Sequence, residues 1–260
     1  MNGAATQRTA LVTGAGKGIG ESISLALAAQ GLRVALAART AADLERVAER
    51  IRAQGGQAFP VVCDVTQSDS VAAAVAASVQ ALGPITVLVN NAGAAGSHKF
   101  IGHDDALWHH MLAVNLTSVY QVTKAVAPMM VAAQWGRIIN VASIASKVGG
   151  KYLAAYSAAK HGVLGLTRAL AAELVDYHIT VNAICPGYVD TPLTDQAVAN
   201  ITARTGRPAA DARAVLERVN PQNRLITPEE VAALVVLLAS DDARGINGQA
   251  INIDGGAVMY

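Results

Sequence analysis

Seven short runs of apolar and β-branched residues alternate with longer amphipathic segments along the chain. Most runs are apolar almost throughout rather than at every second position, which is typical of strands covered on both faces of a parallel sheet. The predicted strands are 9–13, 33–37, 58–62, 85–90, 137–141, 179–184 and 250–253. Between them, apolar residues such as Ile19, Ile23 and Leu27 recur at helical spacing. This alternation predicts a doubly wound α/β fold with a seven-stranded parallel sheet and helices on both faces.

The 260 residues are predicted to form a single domain, because α/β folds of this type reach such a length as one unit. One segment, from 190 to 220, breaks the rhythm of strands and helices. It is polar and Ala-rich, and it contains Pro192, Gly206 and Pro208. An insertion after the carboxyl end of a strand lies where ligands bind in such sheets. We therefore expect residues 190–220 to form a mobile substrate lid within the domain.

The composition limits the partners of the protein. Net charge is +1, which gives no indication of a nucleic-acid or membrane partner. Charged residues make up 15% of the chain, against about 25% in a typical domain, which favours a surface partly covered by subunit contacts. The first ten residues have no apolar core, and no apolar stretch is long enough to span a membrane, so we expect a cytoplasmic protein. The histidines at 98, 103, 109 and 110 lack the spacing of metal ligands, and no metal site is predicted.

A glycine-rich turn follows the first predicted strand and opens onto a helix. Its sequence is Thr13-Gly14-Ala15-Gly16-Lys17-Gly18-Ile19-Gly20. Glycines allow the backbone to approach a pyrophosphate closely, and the helix N-terminus offers unpaired N–H groups to the phosphates. The spacing departs from the strict G-x-G-x-x-G pattern, but the position in a repeating βα chain indicates a Rossmann-type dinucleotide site. No Ser or Thr follows Lys17, which disfavours an ATP-binding P-loop.

The end of the second predicted strand indicates which nicotinamide cofactor is used. Sites selective for NAD place an acidic residue there, to bind the ribose 2′-hydroxyl. Here Ala38 occupies that region and Arg39 follows it. A guanidinium can hold a 2′-phosphate with charge-assisted hydrogen bonds worth roughly 1.5–3 kcal/mol. Arg39, together with Lys17 from the glycine turn, therefore predicts NADP(H).

Tyr156 and Lys160 lie four residues apart in a helical pattern, so both project from one helix face. A free tyrosine titrates near pH ~10, and a neighbouring ammonium favours its phenolate, so we expect a lowered pKa for Tyr156. Ser143 follows the fifth predicted strand, at the edge of the sheet where a cofactor lies. Its hydroxyl can orient a carbonyl oxygen toward Tyr156. Together the three residues predict a site that polarises a ketone beside a nicotinamide.

At this point the chain resembles the short-chain dehydrogenase/reductase family over nearly its whole length. The similarity rests on motifs in the family's order and near its spacing. They are the turn 13–20, Asp64 in Cys63-Asp64-Val65, Asn90-Asn91-Ala92-Gly93, Asn115, Ser143, Tyr156 with Lys160, and Pro186-Gly187 with Thr191. The resemblance implies an oxidoreductase that interconverts a ketone and a secondary alcohol. It also implies a homotetramer, with the helices that carry Asn115 and Tyr156 and the C-terminal tail as contacts.

The resemblance further implies roles for individual residues. Tyr156 would be the general acid in reduction and the base in oxidation, Ser143 would orient the substrate oxygen, and Lys160 would hold the nicotinamide ribose and lower the tyrosine pKa. Asn115 would place a water in a proton relay behind Lys160. The implied cofactor contacts are Asp64 and Val65 to the adenine, Asn91, Ala92 and Gly93 to a ribose, and Pro186, Gly187, Val189 and Thr191 to the carboxamide and phosphates. Asn90 is interpreted as a packing residue.

The predicted substrate pocket is mostly apolar and has no arginine to clamp a carboxylate. It comprises Ile144, Ala145, Val148, Tyr152, Leu153, Tyr188 and Leu193. We expect an apolar ketone. The chain is similar to the family's 3-oxoacyl and polyketide ketoreductases and also to its 3-hydroxybutyrate dehydrogenases; the latter typically use NAD, which Arg39 disfavours, so a 3-oxoacyl thioester is predicted. One alternative is a secondary-alcohol or 3-hydroxyacid dehydrogenase working in the oxidative direction. Others are a non-catalytic NADP-binding regulator, and a dehydratase or epimerase on the same fold.

Overall fold

The computed structural model describes residues 7–260, and the reading of residues 1–6 for a targeting segment lies outside the described residues. The predicted fold class is confirmed: seven strands form one parallel sheet in the order β3-β2-β1-β4-β5-β6-β7. The strands are β1 (Thr9–Thr13), β2 (Arg33–Ala38), β3 (Gln57–Val62), β4 (Ile85–Asn90), β5 (Gly136–Val141), β6 (Ile179–Pro186) and β7 (Ala250–Ile253). The strand order reverses at β1, because β2 and β3 lie on one side of β1 and β4 to β7 lie on the other. This reversal opens a crevice at the carboxyl ends of β1 and β4.

Nine α-helices connect the strands within the described part of the chain. They are α1 (Gly18–Ala29), α2 (Ala41–Ala53), α3 (Ser68–Leu82), α4 (Asp105–Leu112), α5 (Ser118–Ala133), α6 (Ala154–Leu174), α7 (Pro192–Thr205), α8 (Ala209–Glu217) and α9 (Pro228–Ala239). A π-helical turn, Ala113–Thr117, joins α4 to α5, so the helix predicted around Asn115 continues through an irregular turn. Extra residues in such turns often mark functional sites.

Apolar side chains cover both faces of the sheet, as the apolar strands predicted. One cluster packs residues of α1, α2 and α9, among them Leu27, Val47 and Val235, against one face. A second cluster packs residues of α3, α5 and α6 against the opposite face, including Val75 and Val126. The two-sided burial holds the carboxyl ends of the strands rigid, which fixes the loops that follow them.

A chain of buried amides and hydroxyls ties the centre of the sheet to two helices. Asn90 donates to Asn140 Oδ1 at 2.9 Å and to Thr123 Oγ1 at 3.0 Å. Asn140 in turn donates to Thr167 Oγ1 at 2.9 Å. The packing role expected for Asn90 agrees with these contacts, because its amide is directed at β5 and α5. Buried polar groups that find such partners specify one arrangement of the elements.

The segment 190–220 contains two helices, α7 and α8. Thr191 precedes α7, and Pro192 takes the first helical position, where a missing N–H costs nothing. Within the segment, Arg213 pairs with Asp190 at 2.8 Å. Arg204 attaches the segment to the loop after β4 by donating to Ser97 O at 3.3 Å. In the described part of the chain, none of the helices is both long and apolar enough to cross a membrane.

Candidate active site

The glycine-rich turn lies between β1 and α1, at the reversal of strand order. Gly14 has a φ of 66°, in the left-handed region that favours glycine. A Cβ on Gly20 would lie 2.2 Å from Gly14 O and 2.5 Å from Asn91 Nδ2. Gly20 therefore allows the start of α1 to pack directly on the turn. The result is a tight loop whose backbone is exposed to a ligand at the helix N-terminus.

Asn91 fastens this turn to the end of β4. Its side-chain amide donates to Thr13 O at 2.9 Å and to Gly14 O at 3.2 Å. The backbone N–H groups of Asn91 and Ala92 both donate to Thr13 Oγ1 at 3.0 Å. The resemblance assigned residues 91–93 to a ribose, but the amide of Asn91 is committed to the protein backbone. Among these residues, Ala92 and Gly93 retain surface beside the turn.

Of the residues predicted to select the cofactor, Arg39 follows β2 and Lys17 lies in the glycine turn after β1. Arg39 and Lys17 are both exposed. Asp64 follows β3, and its carboxylate accepts hydrogen bonds from Thr66 N at 3.0 Å and Thr66 Oγ1 at 2.7 Å. These bonds hold the pKa of Asp64 below its usual value, and the positive charge of Arg39 adds to the effect. Arg39 and Asp64 are therefore neighbours at the edge where an adenosine would lie.

Ser143, Tyr156 and Lys160 converge at the carboxyl end of β5. Ser143 caps a 3₁₀ turn, with its Oγ accepting from Ala145 N at 3.1 Å, and it lies within reach of the Tyr156 phenol. Lys160 is 5% exposed, and its Nζ donates to Val141 O at 2.8 Å. Lys160 Nζ lies 5.8 Å from the centre of the Tyr156 ring. The spacing of four residues on α6 thus brings phenol and ammonium to one side, as predicted.

The expectation of a lowered tyrosine pKa is wrong for this arrangement of side chains. Burial raises the pKa of Tyr156, and the contact with Ser143 opposes that effect. Burial also lowers the pKa of Lys160 from its usual 10.5 to about 8. The physical reason is desolvation, because removal of water disfavours the charged form of both groups. The raised pKa leaves the phenol protonated at neutral pH, as in a free tyrosine.

Asn115 lies in the π-helical turn and is 1% exposed. Its amide bridges two segments, because Nδ2 donates to Ala94 O at 3.0 Å and to Met111 O at 3.1 Å, while Oδ1 accepts from Ala94 N at 3.2 Å. A Cβ on Gly93 would lie 2.9 Å from Asn115 Oδ1 and 3.8 Å from Lys160 Nζ. Asn115 and Lys160 thus both lie beside Gly93.

The loop after β6 faces the same crevice. Gly187 N donates to Ile253 O at 2.9 Å, which anchors Pro186-Gly187 to β7. Val189 is buried and forms an isolated parallel bridge with Ile226. A Cβ on Gly18 would lie 3.1 Å from Thr191 Cγ2, so the Thr191 side chain packs against the glycine turn. The structure therefore joins the loop 186–191 to the turn 14–20, although they are far apart in sequence.

The predicted pocket residues differ in how they are exposed. Tyr152 and Leu193 are 53% and 50% exposed, Ala145 is buried, and Ile144, Val148, Leu153 and Tyr188 are half-buried. Tyr152 adopts a φ of 67°, which is uncommon for an aromatic residue, and its carbonyl accepts from His98 N at 2.8 Å. This bond ties the loop before α6 to the loop after β4. Within residues 7–260, His, Cys, Asp and Glu side chains form no group of three or more arranged for a metal ion.

Sequence reasoning missed one group beside the glycine turn. Glu21 in the first turn of α1 pairs with Arg46 and Arg50 of α2. Arg46 also donates to Gly16 O at 2.8 Å. The available signal was the spacing of 46 and 50, which places two arginines on one face of α2. Which carboxylate they meet depends on how α2 packs against α1.

The doubly wound fold and the residues in its crevice are typical of an oxidoreductase, and comparison with known proteins agrees. A family model described as short chain dehydrogenase matches residues 8–202. The chain belongs to this family, which confirms the resemblance, and it acts on the carbonyl–alcohol pair. It is 43% identical to a Streptomyces violaceoruber protein named as a ketoacyl reductase of the granaticin polyketide synthase, over 99% of this chain and 96% of the relative.

Two further relatives support the same family. The 3-oxoacyl-(acyl-carrier-protein) reductase of Pseudomonas aeruginosa is 38% identical over 97% of this chain and 98% of its own. A solved structure of an actinorhodin polyketide ketoreductase variant with NADPH superposes with a TM-score of 0.94 and 39% identity. That superposition covers 98% of both chains. The likeness thus includes the sheet, the glycine turn and the segment 190–220.

Proposed function

We propose that this protein is an NADP(H)-dependent reductase that converts a ketone into a secondary alcohol, with a 3-oxoacyl thioester as its substrate class. The observation that carries the proposal is the convergence of Ser143, Tyr156 and Lys160 in the crevice beside the glycine turn. Further support comes from the relatives, which are named as ketoacyl and 3-oxoacyl reductases, and from the solved neighbour, which holds NADPH.

The reduction follows from the protonation states of the site. Bound nicotinamide supplies a hydride to the carbonyl carbon. Ser143 donates a hydrogen bond to the carbonyl oxygen and orients it toward Tyr156. Because a tyrosine is protonated at neutral pH, Tyr156 can transfer its proton to the oxygen as negative charge develops there. The carbonyl thereby becomes a secondary alcohol, and Tyr156 is left as a phenolate that must regain a proton.

Lys160 and Asn115 support that recovery. A lysine with a pKa of about 8 exchanges protons near neutral pH far more readily than an ordinary lysine. Its ammonium would also stabilise the transient phenolate, because the two charges are opposite and Nζ lies 5.8 Å from the centre of the Tyr156 ring. Asn115 holds the backbone of Ala94 beside Lys160 and would position a relay water there. In this role Asn115 acts through Lys160 and is a positioning residue.

Cofactor selection is assigned to Arg39 and Lys17. Both are exposed at the mouth of the crevice, and the region at the end of β2 carries no carboxylate that would repel a 2′-phosphate. Asp64 and Val65 would lie against the adenine, while Ala92, Gly93 and the loop 186–191 would contact ribose, carboxamide and phosphates. We expect kcat/KM with NADPH to exceed that with NADH, and Arg39→Ala to reduce the NADPH value selectively. A preference of the wild type for NADH would contradict this assignment.

The substrate class is supported by the lining of the crevice. Leu193 and Tyr152 are exposed apolar groups, Ile144 begins the 3₁₀ turn Ile144–Ser146, and Val148 and Leu153 lie between that turn and α6. Such a surface would bind an acyl chain through burial of apolar area. A small acid or a sugar would find few charged or polar partners on this surface. We propose that residues 190–220 form a substrate lid within a single domain.

The decisive experiment is an NADPH-oxidation assay with 3-oxoacyl thioesters, simple ketones, sugars and steroids. We expect turnover of the thioesters and of apolar ketones. Tyr156→Phe should lower kcat by about 10²–10⁴-fold while the fold and NADPH binding are retained, because the proton donor is lost. Tyr177→Phe, at an exposed tyrosine beyond α6, is the matched control and should leave kcat unchanged. Near-normal turnover by Tyr156→Phe would rule out the mechanism, and activity confined to sugars or steroids would rule out the substrate class.

We also propose a cytoplasmic homotetramer. Exposed apolar side chains on α5, after α6 and near the C-terminus support subunit contacts: these are Tyr120, Val175, Tyr177, Met259 and Tyr260. The low fraction of charged residues supports the same interpretation. Light scattering should give four times the mass of one chain, and a monomer would contradict the proposal. Cell fractionation should recover the enzyme with the cytoplasm.

A further inference from the structure

Arg46 links helix α2 to the glycine turn and to α1 at the same time. Its two terminal nitrogens bind both carboxylate oxygens of Glu21, each at 2.7 Å. One of them also donates to Gly16 O at 2.8 Å. A guanidinium is suited to this task because its donors form a planar fork of fixed geometry. A single side chain thus fixes one peptide group of the turn relative to the first turn of α1.

The contact with Gly16 sets the direction of the next N–H group. A trans peptide is planar, so its N–H points opposite to its C=O. The Gly16 carbonyl is directed at Arg46 on the side of α2, and the N–H of Lys17 therefore points away from α2. In the described range 7–260, Lys17 N–H has no backbone or side-chain acceptor. An unpaired N–H at the start of a helix is a donor for an anion.

The contact between Arg46 and Glu21 also changes the charge beside the glycine turn. Glu21 carries a negative charge in the first turn of α1, where it would repel a pyrophosphate. Its side chain is 14% exposed and is paired with Arg46 and with Arg50. The hydrogen bond from Arg46 is the main cause of a lowered pKa for Glu21, so the carboxylate stays ionised. Arg46 and Arg50 therefore neutralise Glu21, and Asp43, which also acts on Arg46, balances the second guanidinium.

We propose that Arg46 is a positioning residue for the pyrophosphate of the dinucleotide: it orients the Gly16–Lys17 peptide and neutralises Glu21. This inference rests on the proposed cofactor function. It differs from the role of Arg39, because the pyrophosphate is common to NADPH and NADH, whereas the 2′-phosphate occurs in NADPH alone. Loss of Arg46 should therefore weaken the binding of NADPH and of NADH by the same factor.

The test is a measurement of Kd for NADPH and for NADH by fluorescence titration of the full-length protein, together with kcat at saturating cofactor. We expect Arg46→Gln to raise both Kd values about tenfold and to change kcat less than about twofold, since the reacting groups are untouched. Arg46→Lys should recover part of the loss, because it restores the charge without the fork. Glu21→Gln combined with Arg46→Gln should also recover part, because it removes the uncompensated carboxylate.

Arg52→Gln provides the matched control. Arg52 lies on the same helix and pairs with Glu45 at 2.6 Å, without contact to the turn, so its substitution should leave both Kd values unchanged. If Arg46→Gln does not fold, Arg46→Lys carries the test, with an expected increase of about threefold in both Kd values. Unchanged Kd values would overturn the inference, as would an increase for NADPH alone, which would make Arg46 a ligand of the 2′-phosphate. A wild type that binds neither nucleotide would overturn the proposed function itself.

Discussion

Substitution of Lys160 by Met is expected to make the protein more stable while removing its activity. Lys160 is 5% exposed, and burial lowers its pKa from the usual 10.5 to about 8. That difference corresponds to roughly 3 kcal/mol, the cost of keeping the ammonium charged in the folded state. Methionine has a similar length and carries no charge, so it removes this cost. It also removes the hydrogen bond from Nζ to Val141 O, worth about 1 kcal/mol.

The net gain should depend on pH in a defined direction. Below about pH 8, Lys160 is protonated in both the folded and unfolded states, and the full penalty applies. As the pH rises from about 8 to 10.5, the folded state loses its proton first and the penalty disappears. We therefore expect Lys160→Met to gain about 2 kcal/mol at neutral pH, equivalent to about 4–8 °C in Tm, and close to nothing near pH ~10.

Urea unfolding of wild type and Lys160→Met, at one protein concentration and at both pH values, measures this difference. Lys124→Met is the control, because Lys124 is exposed on α5 and its replacement should change stability by less than about 0.5 kcal/mol. The NADPH-oxidation assay on the same samples should give little or no turnover for Lys160→Met. A variant less stable than wild type at neutral pH, or a gain that does not change with pH, would refute the reasoning from desolvation.

Three other predictions test the turn, a helix cap and the lid. Gly20→Ala should abolish detectable NADPH binding by titration, because its Cβ would lie 2.2 Å from Gly14 O, whereas Gly245→Ala, with no atom near its Cβ, should bind normally. Thr227→Ala removes the capping box of α9 and should lower the free energy of unfolding by about 1 kcal/mol in urea; no change would contradict the cap assignment. Protease should cut within 190–220 more slowly when NADPH and substrate are present, and equal rates in both states would count against a lid.

Much of the sheet could be predicted from the sequence because its signal is local. The predicted run 137–141 became β5, Gly136–Val141, and the run 250–253 became β7 without change. Strands buried on both faces need apolar residues at nearly every position, so their limits are visible as changes in hydrophobicity. The π-helical turn at Asn115 has no such signal, since one extra residue in a helical turn leaves the surrounding pattern intact.

The candidate site also has features that the sequence predicts and features that it does not predict. The spacing of Tyr156 and Lys160 was sufficient to place phenol and ammonium on one helix face, because helix geometry is fixed by 3.6 residues per turn. It was not sufficient to give the direction of the tyrosine pKa, since burial, which depends on elements distant in sequence, raises it. The bond between Arg46 and Gly16 could not be predicted either, because it joins two elements whose packing is set by the core.

The sequence by itself determined the seven strands, the glycine turn, and the pairing of a tyrosine with a lysine one helical turn away. These features depend on residues close together in the chain, where backbone geometry leaves few alternatives. Tertiary structure alone decided which charges are desolvated, which side-chain amide holds the turn, and which arginines meet Glu21. Those outcomes depend on contacts between residues far apart in sequence, and desolvation and close approach exist only after the helices have packed on the sheet.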